Sequence, residues 1–239
     1  MSDTLEINYE GNPMIPYPTI ADKESIKYII IKEGFTKLPS LLFDGFTNLL
    51  NITLPESLVD IENDAFGNTF LKYLFLPKKV KNLNLMNPFD TSQIEYIDVD
   101  PDNPYFCSVD GILFSEDKSI LFMFPPCKNL SIYMVPNTVS VLGFGAFNRA
   151  IYLKKLYIPD SVVSLSDEFL YGNYDVIEEV VIFRYFRQSI PFMGPTSFAY
   201  TTFQKSNIKY VYSALIPKSC QICYFSLLKK DLIYAFILL

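Results

Sequence analysis

The sequence predicts a solenoid. It would be a curved stack of about eight coils of 22–24 residues, β-rich with short helical turns, carrying a parallel β-sheet and one inserted β-hairpin. Three observations predict it. One template recurs along the chain at nearly constant spacing. No single copy holds enough apolar residues to form a core, so each must bury its inner face on its neighbours. One gap in the spacing is longer than the others, and the residues that fill it alternate as in a hairpin.

The template is clearest in LLNITLPESLVDIENDAF (Leu49–Phe66) and LKKLYIPDSVVSLSDEFL (Leu153–Leu170). Both read apolar-x-x-apolar-x-apolar-Pro, then apolar residues three and six past the proline, then a bulky pair. Leu130–Phe147 fits as well, Ile26–Phe43 fits with Lys32 in the proline position, and Leu71–Leu83 fits its first two thirds. Ile94–Asp100, Ile177–Phe183 and Ile208–Ser213 carry only the opening. The starts fall at 26, 49, 71, 94, 130, 153, 177 and 208, with gaps of 23, 22, 23, 36, 23, 24 and 31.

Within a coil, Leu156 and Ile158 are two apart and point to one face, while Tyr157 points to the other. The proline ends the strand because it has no N–H for the ladder. Equivalent inward positions predict a core containing Leu54, Ile61, Phe66, Leu156, Ile158 and Leu165. The long gap holds DGILFSEDKSILFMFPP (Asp110–Pro126), where GILF and SILFMF alternate on either side of the acidic turn SEDK. A hairpin inserted at about 105–127, in a loop between coils and projecting from the array, is expected. Residues 1–23 form an N-terminal segment or cap, 24–185 the array, and 186–239 degenerate last coils with an apolar cap.

The motif LxxLxIPxxVxxIxxxAF resembles the BspA-like leucine-rich repeat of surface antigens, and NPYFCSVDGILFSEDKSILFMFPP (Asn103–Pro126) resembles that family's insertion. The resemblance covers about residues 24–185. It implies a leucine-rich-repeat solenoid and a non-enzymatic role in adhesion or surface recognition, at the cell surface or secreted. The Ile-Gly usual in the family is kept at Leu142-Gly143 but not at Ile61-Glu62 or Leu165-Ser166, and its usual cysteine is Asn68 or Asn148 here.

The residue inventory narrows function further. With no histidine, Ser-His, Cys-His and His-metal chemistry are excluded. A net charge of −6 lacks the basic footprint of a nucleic-acid binder. No cofactor is expected. Asp98, Asp100 and Asp102 alternate like the start of a calcium loop, but the positions that require Gly and Glu hold Asn103 and Val109. A polar link into the hairpin is expected there. Cys220 and Cys223 form a lone C-x-x-C without two further ligands nearby in sequence, so zinc is not expected. Asn51-Ile-Thr53 and Asn129-Leu-Ser131 match glycosylation sequons, a pattern frequent by chance. The acidic start lacks a basic region followed by an apolar one, so no cleavable signal is predicted. Lys229, Lys230 and Asp231 interrupt the apolar C-terminus, which is expected to be buried rather than membrane-spanning.

Two sets of residues stand out. A hairpin centred near Asp117 brings Cys107 and Cys127 roughly opposite, so a disulfide could clamp its base in an oxidising compartment; two free thiols are the alternative. Strand residues that do not enter the core must line the open sheet face. They are Tyr28, Ile30, Asn51, Thr53, Tyr73, Phe75, Tyr96, Asp98, Ile132, Met134, Lys155, Tyr157, Glu179, Val181, Tyr210 and Tyr212. Tyr73, Phe75, Tyr96 and Tyr157 are expected to centre a protein-binding face for a protein or extracellular-matrix ligand. An intracellular interaction scaffold and a degenerate family copy are the alternatives.

Overall fold

The computed structural model describes residues 3–18, 22–83, 93–165, 169–170, 176–183, 209–214 and 223–227. Each repeat contributes two strands. The apolar-x-apolar run at its head forms β2 (Tyr28–Ile31), β4 (Asn51–Thr53), β6 (Tyr73–Leu76), β8 (Tyr96–Val99), β12 (Ile132–Met134), β14 (Lys155–Ile158) and β16 (Glu179–Phe183). A two-residue strand follows in β3 (Lys37–Leu38), β5 (Asp60–Ile61), β7 (Asn82–Leu83), β13 (Val141–Leu142) and β15 (Ser164–Leu165). Pairing between coils is parallel and follows the repeat, although β4 and β6 end separate sheets. Ile29 faces Ile52, Leu74 faces Ile97 and Leu156 faces Val180 in the first series. Leu38, Ile61 and Leu83 line up in the second.

The repeat positions explain the path. In β6, residues alternate exposed and buried. The proline then opens a tight turn: the amides of Leu58, Val80, Val139 and Val162 donate to the carbonyls of Pro55, Pro77, Pro136 and Pro159 at 3.0–3.2 Å. That turn swings the apolar residue three past the proline into the core, where all four are buried. Two left-handed residues then bracket the bulky pair: Leu41 and Gly45, Asp64 and Asn68, Gly145 and Arg149, with φ between 50° and 86°. Gly, Asn and Asp tolerate this conformation best. The kinks aim Phe43, Phe66 and Phe147 inward, each 0% exposed. Leu54, Ile61, Phe66, Leu156 and Ile158 are all buried; the side chain of Leu165 lies outside the described residues.

The ends differ from the middle. β1 (Thr4–Ile7) adds a parallel strand beside β2. β17 (Lys209–Ala214) continues parallel to β16, but β18 (Cys223–Leu227) pairs antiparallel to β17. The start at 208 therefore opens a strand and then a reversed partner, and the stack has about seven turns rather than eight. Among the described residues, helix is confined to a 3-10 turn at Lys23–Ser25.

The insertion is not where the repeat spacing alone puts it. β9 (Phe106–Val109), β10 (Ile112–Ser115) and β11 (Ile120–Met123) form a three-stranded antiparallel meander, so the expected hairpin across SEDK is present as β10 and β11 with a further strand before it. β11 also pairs in parallel with β13, Ile120 facing Val141 and Leu121 facing Leu142. The Phe124 amide donates to Ala146 O at 2.7 Å, as Phe43 does to Ala65 O at 3.2 Å in an uninterrupted coil. β11 is thus the second strand of the coil that opens with β8. The ribbon is spliced between that coil's two strands, inside the coil rather than between coils. It does not project: Ile112, Leu113, Phe114, Leu121 and Phe124 are buried.

Asn103 makes the detour. It holds the place of Leu58, Val80, Val139 and Val162 in the other coils and is equally buried, at 4%. Its Nδ2 donates to Pro77 O (3.0 Å) and Val80 O (2.9 Å), and its Oδ1 accepts from the amides of Tyr105 (2.8 Å) and Phe106 (3.0 Å). One buried amide thereby seals the preceding turn and launches β9.

The third strand also bears on the two alternatives for Cys107 and Cys127, a disulfide or two free thiols. Cys107 on β9 faces Phe114 on β10, which stands between it and β11. Both cysteines are free thiols. Cys107 Sγ donates to Ser115 O at 3.2 Å and Cys127 Sγ to Gln93 Oε1 at 3.4 Å. Burial pushes both thiols up from the ordinary cysteine value.

Candidate functional site

The open face of β6 and β8 carries an aromatic cluster. Tyr73 faces Tyr96 and Phe75 faces Asp98 across the ladder. The two tyrosine rings stack with centroids 6.0 Å apart and planes 19° apart. All three rings remain exposed: Tyr73 46%, Phe75 36% and Tyr96 40%. The Tyr73 hydroxyl donates to Asp98 Oδ2 at 3.2 Å, and burial followed by the Asp98 charge pushes its phenol above the ordinary tyrosine value.

Among the described residues no further strand lies beside Tyr96. The turn between β9 and β10 occupies that place. Asp110 and Gly111 both have positive φ, 52° and 78°, the two-residue geometry that joins tightly twisted strands. A Cβ on Gly111 would lie 2.4 Å from the Tyr96 ring, so only glycine lets the turn approach. The Lys128 ammonium sits 5.7 Å from the Tyr96 ring centroid and donates to Asp110 O. Tyr96 is therefore stacked on one side and covered on the other.

The fourth residue stands apart. Tyr157 lies on β14, half-buried between Met134 and Val181 and beyond the insertion. The structure brings Tyr73, Phe75 and Tyr96 together and separates Tyr157 from them. Elsewhere on the face, Tyr28, Asn51, Thr53, Ile132 and Met134 are exposed, but Val181 is buried at 6%. The side chains of Tyr210 and Tyr212 lie outside the described residues, as do Cys220 and the last apolar stretch, residues 228–239. Gly111 and Lys128 were not singled out from the sequence. The Asp-Gly pair was the available signal for the turn, and Asn at an otherwise Leu or Val position the signal for the detour.

The three alternating acids are occupied by local structure. Asp98 Oδ1 accepts from the Val99 amide (2.9 Å), Asp100 Oδ1 from the Asp102 amide (2.8 Å), and Asp102 pairs with Lys78 (3.1 Å). Among the described residues no group of His, Cys, Asp and Glu is placed to hold a metal ion, and no helix is long and apolar enough to cross a membrane.

The sequence profile described as BspA type leucine rich repeat region matches residues 14–108 and 118–228, in six copies. The chain belongs to this family. No curated protein sequence matches it. Among solved structures, the pneumococcal vaccine antigen PcpA shares 30% identity at a TM-score of 0.58, over 66% of this chain and 42% of that one. The chain thus spans less than half the length of that antigen structure. A leucine rich cell surface protein from Faecalibacterium prausnitzii has the same fold at 20% identity and TM-score 0.53, covering 82% of this chain and 62% of that one. A leucine-rich repeat protein from Eubacterium ventriosum does so at 18% and 0.52, covering 76% and 68%.

Proposed function

We propose that this chain is a non-enzymatic protein-binding module of surface recognition or adhesion, with Tyr73, Phe75 and Tyr96 at the centre of its contact face. The observation that carries this reading is the exposed aromatic cluster on a rigid, hydrogen-bonded pair of strands. Aromatic side chains give large contact area with little rotamer entropy to lose, and exposed apolar clusters mark contact sites. The family supports it, as do a vaccine antigen and a cell surface protein among its structural relatives. Tyr157 is a separate, weaker point of contact across the insertion. The exposed turn Glu116–Lys118, rather than the buried ribbon, is what the insertion offers a partner.

The test replaces Tyr73, Phe75 and Tyr96 by Ser and measures binding of the folded protein to intact cells and to immobilised fibronectin, laminin and collagen. Loss of about tenfold or more in affinity is expected for any surface the parent binds. Unchanged binding by the folded triple variant moves the contact face elsewhere. Immunostaining of the tagged chain with and without permeabilisation separates a surface role from an intracellular scaffold.

A further inference from the structure

The ribbon closes the N-terminal coils as a terminal cap would. The outer edge of β8 would ordinarily offer its backbone groups to the next coil. Here the Ile97 amide donates to Gly111 O at 3.1 Å, Ile97 O accepts from Ser108 Oγ at 2.6 Å, and the Val99 amide turns to its neighbour's Asp98 Oδ1 at 2.9 Å. The first-strand series falls into three sheets, β1-β2-β4, β6-β8 and the one that begins at β12. The buried core runs unbroken across the first gap, from Ile52 to Leu74, so only the gap between β8 and β12 coincides with a division of the core. The second-strand sheet ends at β7 and restarts with β11.

The core divides at the same place. One buried cluster runs from Ile7 to Val99 and is completed by Phe106, Leu113 and Met123 of the ribbon and its coil. The other runs from Val135 to Val180 and begins with Ile112, Phe114, Leu121 and Phe124. Neighbouring residues of one strand, Ile112, Leu113 and Phe114, thus belong to different cores. Among the described residues the inter-coil ion pairs also stay on one side or the other, as in Lys72–Glu95 and Lys155–Glu179. The Cys127 amide on Ile94 O (2.9 Å) and Lys128 on Asp110 O cross the junction.

We propose that the ribbon is an internal cap, so that the coils before it, which carry the aromatic cluster, keep their fold when the coils after it open. A solenoid is a chain of nearest-neighbour interfaces. An interface whose sheet edges are already satisfied couples its two sides less than an ordinary one does. The proposal does not depend on what the aromatic face binds.

Hydrogen exchange of the full chain, read by mass spectrometry on peptides from Tyr28–Val99 and Ile132–Ile158, tests it. Leu156→Ala should accelerate exchange in Ile132–Ile158 about 30-fold or more, the low end for a buried Leu truncation, and leave Tyr28–Val99 within about twofold. Leu74→Ala should do the reverse. Equal acceleration on both sides in either variant overturns the proposal. Should the variants not fold, exchange of the parent chain in rising denaturant decides. Two groups of amides with separate opening midpoints support the cap, and one shared midpoint overturns it.

Discussion

The coil from Leu49 to Phe66 and the coil from Ile94 to Phe124 build the same two strands and the same inward phenylalanine by different paths. In the first, Leu58 fills the core after the proline and the chain runs directly from β4 to β5. In the second, Asn103 stands where Leu58 does, and a two-stranded excursion intervenes before β11 takes the place of β5. Both coils end in a buried phenylalanine, Phe66 at 0% and Phe124 at 1%. The difference teaches that the solenoid specifies where a coil must return, not how it gets there. A buried polar side chain can replace an apolar one when all of its hydrogen-bonding capacity is met by backbone it must itself redirect.

The largest expected effect tests the likeness. Phe66→Ala and Phe124→Ala should each cost about 3–5 kcal/mol in denaturant unfolding. A cost below about 1 kcal/mol at Phe124 alone, far under the range for such truncations, would show that the interrupted coil is not closed like its neighbour.

The next tests the detour. Asn103→Ala leaves two buried carbonyls and two amides without their partner and should destabilise by about 1–3 kcal/mol, the cost of stranded buried polar groups. Asn103→Val, which restores the residue type of Val80, should not rescue, because β9 still needs the two acceptor bonds. Recovery to parent stability in Asn103→Val would break the comparison.

Gly111→Ala should cost about 1–3 kcal/mol, since left-handed backbone is unfavourable with a side chain and the new methyl meets the Tyr96 ring. Combining it with Tyr96→Ala removes the contact but not the backbone strain. Partial recovery in a double-mutant cycle is therefore expected, and a strictly additive pair would show that ring and turn do not touch.

The smallest effect lies at the exposed turn between β10 and β11. Asp117 Oδ1 accepts from Ser115 Oγ (2.7 Å), the Ser119 amide (3.0 Å) and Ser119 Oγ (2.7 Å), which hold its carboxyl down at about 2 from 3.8. A folded-state value below the unfolded one means the charged form favours the fold. The contribution is present above about pH 4 and lost as pH falls towards about 2. Asp117→Asn should flatten the acid limb of a pH–stability profile in that window; an unchanged profile would remove Asp117 from the turn's stabilisation.

The repeat, its register and its inward positions were legible in the sequence, because a solenoid places each contact at a constant offset. A gap of 23 in the starts is the same fact as Ile29 facing Ile52. Alternation within β6 likewise placed Tyr73 and Phe75 outward before any packing was known. The insertion obeys no such offset. Which free edge its strands would join, that β9 would separate Cys107 from β11, and that Gly111 would cover Tyr96 depended on contacts made once in the molecule. By itself the sequence determined the stack and the outward aromatic residues. Only the tertiary structure decided that the aromatic row stops at Tyr96 and that β18 reverses at the end of the stack. Repetition writes a contact into the chain several times over, whereas a unique contact depends on backbone edges and volumes that local pattern does not record.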